Sequence, residues 1–240
     1  MFHVEHFRHE IKEMEPNMSD KIKKSYQQSK NIYDDVLTQG KWWSKLYIKL
    51  FWSGVDDSEV AKEVLKYIPS NFTGKILDVP TGTAVFTYQK YAKMKHADIT
   101  CLDYSIDMLE QANKRFQNYH MNHVKTMQGD VGFLPFQDEN FDIVLSMNGF
   151  HAFPDKEKAY AETYRVLKKG GKFIACFYIQ GKSKLTDWLV EKILAKKGWF
   201  TPPFDTVISL RQRLSCMYQI KDFHVKGSMV WFYVVKKSLV

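Results

Sequence analysis

The chain of 240 residues has little cysteine, proline or glycine, and each shortage closes off a class of protein. Its three cysteines are Cys101, Cys176 and Cys216. None forms a Cys-x-x-Cys pair or a cluster with histidine, so neither a disulfide framework nor a zinc site is expected, and buried free thiols suit a reducing compartment. Twelve glycines and seven prolines are too few for a low-complexity chain. No apolar run approaches the ~20 residues of a membrane-spanning helix, and the N-terminus carries no secretory apolar segment. The expected location is cytoplasmic. His3, His6, His9 and Glu10 have some metal-ligand spacing, but they sit in a polar terminal stretch that reads as a solvated tail, so no metal is expected.

Apolar residues make up 45% of the chain and aromatic residues 15%, enough to bury a full core. The formal net charge of +8 raises the prospect of an acidic partner, yet the lysines are spread along the chain as on an ordinary solvated surface. Residues 1–17 read as a leader, disordered or loosely packed, closing on Pro16. Residues 18–70 read as a helical lid and a lead-in helix. The aromatic residues Tyr26, Tyr33, Trp42 and Trp43 and the run Leu46–Trp52 mark two helices, with Lys41, Lys45 and Lys49 on the second one's other face. Such a helix suits a membrane interface or a lid over a pocket; the lid is the preferred reading, since an open site follows. Ser58 is the expected cap of the lead-in helix, which Pro69 stops.

Residues 71–240 read as one core. Lys75–Ala84 (KILDVPTGTA) is a buried strand ending in Asp78, then a tight turn through Gly82 toward a helix over residues 85–94. Ile99–Asp103 (ITCLD) is a second buried strand ending in an acid. Ser105 caps a helix over residues 106–119, and Asp130 follows the third strand. Phe141–Ser146 is the fourth strand, Asp155 caps the next helix, Gly170-Gly171 closes that helix, and Lys172–Tyr178 is the fifth strand. Ser183–Lys197 reads as an amphipathic helix turning Leu185, Trp188, Leu189 and Ile193 inward. After a helix over residues 205–217, the runs Ile220–Val225 and Met229–Val235 are joined by too short a turn for anything but an antiparallel hairpin. The fold expected is α/β: a doubly wound, Rossmann-like sheet of about seven strands with a terminal antiparallel hairpin, plus an N-terminal helical lid.

An acid at the end of each of two successive strands suits a nucleoside held at their carboxyl ends. Asp78-Val-Pro80-Thr-Gly82-Thr-Ala84, Asp103-Tyr-Ser105-Ile-Asp-Met108-Leu109, Gly129-Asp130-Val131-Gly-Phe-Leu134-Pro135-Phe136 and Arg165-Val-Leu-Lys-Lys-Gly170-Gly171 follow in that order. Together they resemble the class I S-adenosylmethionine-dependent methyltransferases, in the small-molecule branch that includes the ubiquinone and menaquinone biosynthesis enzymes. The resemblance covers roughly residues 72–237. It implies S-adenosylmethionine as cofactor, S-adenosylhomocysteine as product, and methyl transfer by in-line displacement to a small, apolar or aromatic acceptor.

The same resemblance implies the site. Asp78 would face the cofactor's ammonium, Asp103 its ribose hydroxyls and Asp130 its adenine amino group. Val131 would back the ring, Tyr104 and Ile106 would sandwich it, and Pro80, Gly82 and Thr83 would form the turn beneath. Asn148 would line the methionine end. His151, in the loop after the fourth strand, is either a general base or a residue that orients the loop. The substrate wall would come from Tyr26, Tyr33, Trp42 and Trp43 with Trp188, Trp199 and Phe200. Pro80 and Ala84 replace two of the family's glycines, where proline fixes φ and alanine adds a methyl. A non-catalytic or RNA- or membrane-associated protein of the same fold is the alternative. Nucleic-acid methylation is disfavoured: no Asp/Asn-Pro-Pro-aromatic motif follows the fourth strand, and Thr201-Pro-Pro-Phe204 lies beyond the fifth.

Overall fold

The computed structural model describes residues 55–238; the expected leader and the aromatic residues Tyr26, Tyr33, Trp42 and Trp43 lie outside them. The first element is helix α1 (Asp57–Lys66). Its cap is Asp56, whose carboxylate accepts the Ser58 N–H at 2.7 Å, so the start falls two residues ahead of the expected Ser58 cap. An acid there is the better acceptor for the first turn's unpaired N–H groups. Val60, Ala61 and Val64 face inward, each larger side chain worth ~1.5–3 kcal/mol of burial, in the same apolar cluster as Ile76, Ile143 and Ile174 of the sheet.

Seven strands follow among the described residues: β1 (Lys75–Asp78), β2 (Asp98–Asp103), β3 (Val124–Gln128), β4 (Phe141–Met147), β5 (Leu167–Tyr178), β6 (Tyr218–Lys226) and β7 (Met229–Lys236). Their order in one sheet is β3-β2-β1-β4-β5-β7-β6. The first five pair in parallel, and β7 runs antiparallel to both β5 and β6. The expected sheet and its closing hairpin are therefore present. The order reverses between β1 and β4, and at such a switch point the connections leave in opposite directions and open a crevice at the strands' carboxyl ends.

Helices α2 (Tyr88–Tyr91), α3 (Ile106–Asn118) and α4 (Lys156–Val166) connect the parallel strands. Ser105 and Asp155 cap α3 and α4 as expected. Helix α2 is shorter than residues 85–94 suggested, because the chain enters it from Ala84 at φ 57° and continues as successive turns on either side. Helix α4 ends at Val166, ahead of the two glycines. The carbonyls of Arg165 and Val166 accept the N–H groups of Glu139 and Asn140 at 3.0 and 2.8 Å, so the loop before β4 does the work expected of a glycine cap. Gly170, at φ 73°, instead turns the chain within an irregular start to β5, whose regular pairing with β4 begins at Lys172.

Beyond β5, helix α5 (Lys184–Leu189) passes into a π-helical turn, Val190–Leu194. Its rotation is the reverse of the expected one. Thr186, Val190 and Leu194 are buried, while Leu185, Trp188 and Ile193 are 53%, 52% and 38% exposed. The cause lies on the adjoining strand end: the Tyr178 hydroxyl donates to Asp187 Oδ1 at 2.5 Å and the Gly181 N–H to Asp187 Oδ2 at 3.0 Å, which pins that carboxylate and fixes the face turned inward. Helix α6 (Val207–Met217) starts on a Thr206–Ser209 capping box.

Candidate cofactor site

The hollow at the switch point is lined by the turn Asp78–Thr87, by Asp103 and Met108 from the β2–α3 junction, and by Met147 and Asn148 from the end of β4. Of the residues singled out in the sequence, Asp78, Pro80, Gly82, Thr83, Asp103 and Asn148 meet there. The β1 turn is held from several sides. Thr81 Oγ1 donates to the Asp78 carbonyl at 3.0 Å, the Thr81 N–H reaches the Leu102 carbonyl at 2.9 Å, and Arg115 Nε donates to the Thr83 carbonyl at 2.9 Å.

Asp103 joins the two strand ends. Its Oδ2 accepts the Gly82 N–H at 2.7 Å and its Oδ1 the Ser105 N–H at 2.9 Å. An ionised carboxylate has about four lone-pair positions, so each oxygen keeps capacity toward the hollow. Burial pushes this carboxyl up to about 6, against the pull of the Ser105, Gly82 and Tyr104 N–H groups. Asp78 is more deeply enclosed and rises to about 7 for the same reason, opposed by the Tyr91 hydroxyl, which donates to Oδ2 at 2.9 Å. Among the described residues neither carboxylate has an ion-pair partner. Two confined acids without a cation make the hollow a receptor for positive charge.

The departures from the family's glycine pattern are accommodated. Gly82 adopts φ 57° and a Cβ there would project into open space, where only glycine leaves room for a ligand against the backbone. Ala84 holds the same left-handed conformation, at φ 57°, with its methyl buried in the core. A Cβ on Gly149 would fall 2.2 Å from Pro80 Cδ: the proline ring fits because the chain opposite carries no side chain. Asn148 is also left-handed, at φ 55°; its N–H donates to the Cys176 carbonyl at 2.7 Å, and its buried Oδ1 has no hydrogen-bond partner among the described residues. These features fit a nucleoside cofactor that carries hydroxyl donors and a cationic tail.

Other expected residues stand elsewhere. Tyr104, 40% exposed, and Ile106 flank the β2 end without lining the hollow. Asp130 accepts the Gly132 N–H at 2.8 Å and Val131 packs into the core. His151 is buried. Its Nδ1 accepts the Tyr178 N–H at 3.3 Å, its ring stacks on Phe200 with centroids 4.1 Å apart, and burial beside Lys156 lowers its pKa to about 3. The loop 198–204 is strapped across this one: the Thr201 N–H donates to the His151 carbonyl at 2.9 Å, Thr201 Oγ1 to the Ala152 carbonyl at 2.9 Å, and Lys156 Nζ to the Thr201 carbonyl. Thr201–Phe204 thus does reach the loop after β4, but as a packing strap. Trp188 points outward and Trp199 packs on the core under Lys197; neither lines the hollow. The sequence reading missed Tyr91, whose contact with Asp78 crosses thirteen positions with no periodic signal.

Residues 76–171 match a family model described as a methyltransferase domain. The chain is 38% identical over 114 residues to a demethylmenaquinone methyltransferase of Staphylococcus haemolyticus, covering 47% of each chain. It is 30% identical over 129 residues to a ubiquinone/menaquinone biosynthesis C-methyltransferase of a Ruegeria species, covering 52% of each. The chain spans about half the length of these curated relatives. In fold it is similar to the crystal structure of a putative methyltransferase from Bacillus halodurans, with a TM-score of 0.63 and 18% identity, covering 75% of this chain and all of that one. Along its core the chain resembles the class I S-adenosylmethionine-dependent methyltransferases, and the sheet order is in keeping with that resemblance.

Proposed function

We propose that this protein transfers a methyl group from S-adenosylmethionine to a carbon of a small, apolar aromatic molecule of the quinol type. The observation that carries the cofactor half is the pair Asp78 and Asp103, buried at the switch point without a cationic partner among the described residues and already oriented by Tyr91, Gly82 and Ser105. The acceptor class rests on the relatives' names. Free thiols, and no helix among the described residues long and apolar enough to cross a membrane, support a cytoplasmic location.

When bound, S-adenosylmethionine supplies a sulfonium-activated methyl and leaves as a neutral thioether. The chain's part is alignment, which in favourable cases is worth ~7–11 kcal/mol. Asp103 takes the ribose hydroxyls on its remaining lone pairs, while Asp78 and Asn148 Oδ1 take the ammonium. Met108, Met147 and Phe86 wall the hollow against water. His151 serves as a loop-positioning residue: with its proton affinity depressed and its Nδ1 engaged, it is too weak to draw a proton at neutral pH. Tyr104 and Asp130 are assigned to the adenine at the rim. Trp199 is assigned to core packing, and the substrate wall is assigned to Tyr26, Tyr33, Trp42 and Trp43.

Titration calorimetry of the full chain with S-adenosylmethionine and with S-adenosylhomocysteine tests the first half. Binding of both is expected, and a folded protein that binds neither overturns the reading. Methyl incorporation into demethylmenaquinol, with ring-carbon attachment read by mass spectrometry, tests the acceptor.

A further inference from the structure

The outward face of α5 and its π-turn gathers three of the nine large apolar side chains exposed among the described residues. Leu185 and Trp188 stand three residues apart on one side of the helix, both more than half exposed, with Ile193 one turn beyond. Lys182, Lys184, Lys192, Lys196 and Lys197 surround them, all exposed. The two acids of the segment are engaged: Asp187 holds the Tyr178 hydroxyl and the Gly181 N–H, and Glu191 Oε1 accepts from Gln180 Nε2 at 2.8 Å. The segment therefore presents exposed apolar bulk with five lysines against two carboxylates, a net excess of positive charge. A helix built to be covered by the protein's own core would not place lysines around a tryptophan, and one built only for water would not expose the tryptophan.

We propose that this face docks on an anionic lipid surface. Tryptophan and leucine suit the boundary between headgroups and acyl chains, and lysine stems reach past buried apolar atoms to place their ammonium groups among phosphates. Charge complementarity selects the occupant: a second copy of this chain would bring the same five lysines against them, and a neutral apolar partner would leave them unanswered. Helix α5 leaves the carboxyl end of β5, where the Cys176 carbonyl accepts the Asn148 N–H. The start of the docking helix and the cofactor hollow therefore lie at the same edge of the sheet.

Flotation of the full chain with phosphatidylcholine vesicles, with and without phosphatidylglycerol, tests this without any methyl acceptor, so it stands or falls apart from the proposed reaction. Binding is expected to the anionic vesicles, to weaken as salt rises, and to fall about fivefold for each of Lys192 and Lys196 neutralised by glutamine. The double variant Leu185→Ser, Trp188→Ser is expected to bind at least tenfold less with an unchanged melting temperature, because both side chains are exposed. Three results overturn the proposal: no flotation with anionic vesicles, flotation indifferent to the substitutions on this face, or a dimer that the double variant converts to monomer.

Discussion

At the amino ends of β4 and β5, Arg165 donates from Nε and Nη2 to the two oxygens of Glu162 at 2.7 Å each. Its Nη1 reaches Asp138 at 2.8 Å, and it also holds the carbonyls of Leu134 and Phe136. Nearby, Lys168 pairs with Asp142 at 2.7 Å, and buried Lys236 donates to the carbonyls of Tyr164 and Leu167. The carboxyl ends of β1 and β4 are the opposite. There, among the described residues, the carboxylates of Asp78 and Asp103 lie buried without a cation and the Asn148 amide oxygen lacks a partner, while Asn148 and Ala84 hold a left-handed backbone. Charge is satisfied where the fold only has to hold and left unsatisfied where a ligand completes it, which is how a sheet comes to have one working edge.

The sharpest way to break this contrast is Asp103→Ala. Removing the acceptor that bridges both strand ends is expected to weaken S-adenosylmethionine binding at least 100-fold, about 2.7 kcal/mol, by calorimetry. The fold should survive, since a buried carboxyl of raised pKa gives the free protein little. If affinity holds, the carboxyl edge is not the cofactor site. Gly149→Ala comes next. The new methyl would meet the Pro80 ring and force the turn aside, at a cost of about 2 kcal/mol and a melting temperature lower by about 4–8 °C. The same methyl would fall 2.8 Å from Ser146 Oγ and 2.9 Å from Phe153 Cζ, so adding Pro80→Ala should restore part of that loss; no restoration at all would mean that the two residues are not coupled.

The amino edge predicts a different pattern. Arg165→Met removes the cation from Glu162, which keeps only the Leu134 N–H, and a donor from two carbonyls; it should cost about 1.5 kcal/mol of stability, discounted because the group is partly exposed, while cofactor affinity stays unchanged. A fall in affinity would blur the division between the edges. The pH dependence should also separate them. Unfolded aspartates titrate near ~3.9, whereas Asp103 and Asp78 titrate at about 6 and about 7 in the folded chain. Between those values the folded state keeps protons that the unfolded state has lost, so the free protein's stability falls as pH rises through this window. A cationic ligand binds the ionised form, and the ionised fraction of Asp78 alone grows about 90-fold over this range, so affinity should rise roughly 100-fold from pH ~5 to ~8. Asp78→Asn should flatten the upper part of that rise.

Much of this was legible in the residues. Asp78 and Asp103 end their strands where a buried apolar run meets a turn, and Ser105 and Asp155 cap their helices by local chemistry alone. What stayed hidden depends on contacts between distant residues. The stretch 184–194 carries two apolar stripes, and only the grip of Tyr178 on Asp187 decides that Val190 and Leu194 go inward and Trp188 outward. The sequence left His151 as either a general base or a residue orienting the loop; the stacking of Phe200 from 49 positions away, which favours the second, has no local signal. The match of Pro80 with Gly149 is likewise a relation between two loops that no local pattern carries.

Ala84 offers the smallest effect and the finest test of the contrast. Alanine in the left-handed region costs ~1–2 kcal/mol relative to glycine, which alone would mark the turn as damaged. Its methyl, however, is 2% exposed, and burying one carbon is worth ~0.8 kcal/mol. Glycine would also give the unfolded chain ~0.4–1 kcal/mol of extra freedom. The opposing contributions nearly cancel, so Ala84→Gly should leave stability within ~0.5 kcal/mol and cofactor affinity within about threefold. Urea unfolding and calorimetry on the same variant read both quantities. A gain in affinity beyond tenfold would mean that the alanine strains the turn out of its binding geometry, and the missing glycine would then be a defect of the working edge. No gain would leave the turn with this alanine as competent as one with glycine, its strain already offset by the core beneath it.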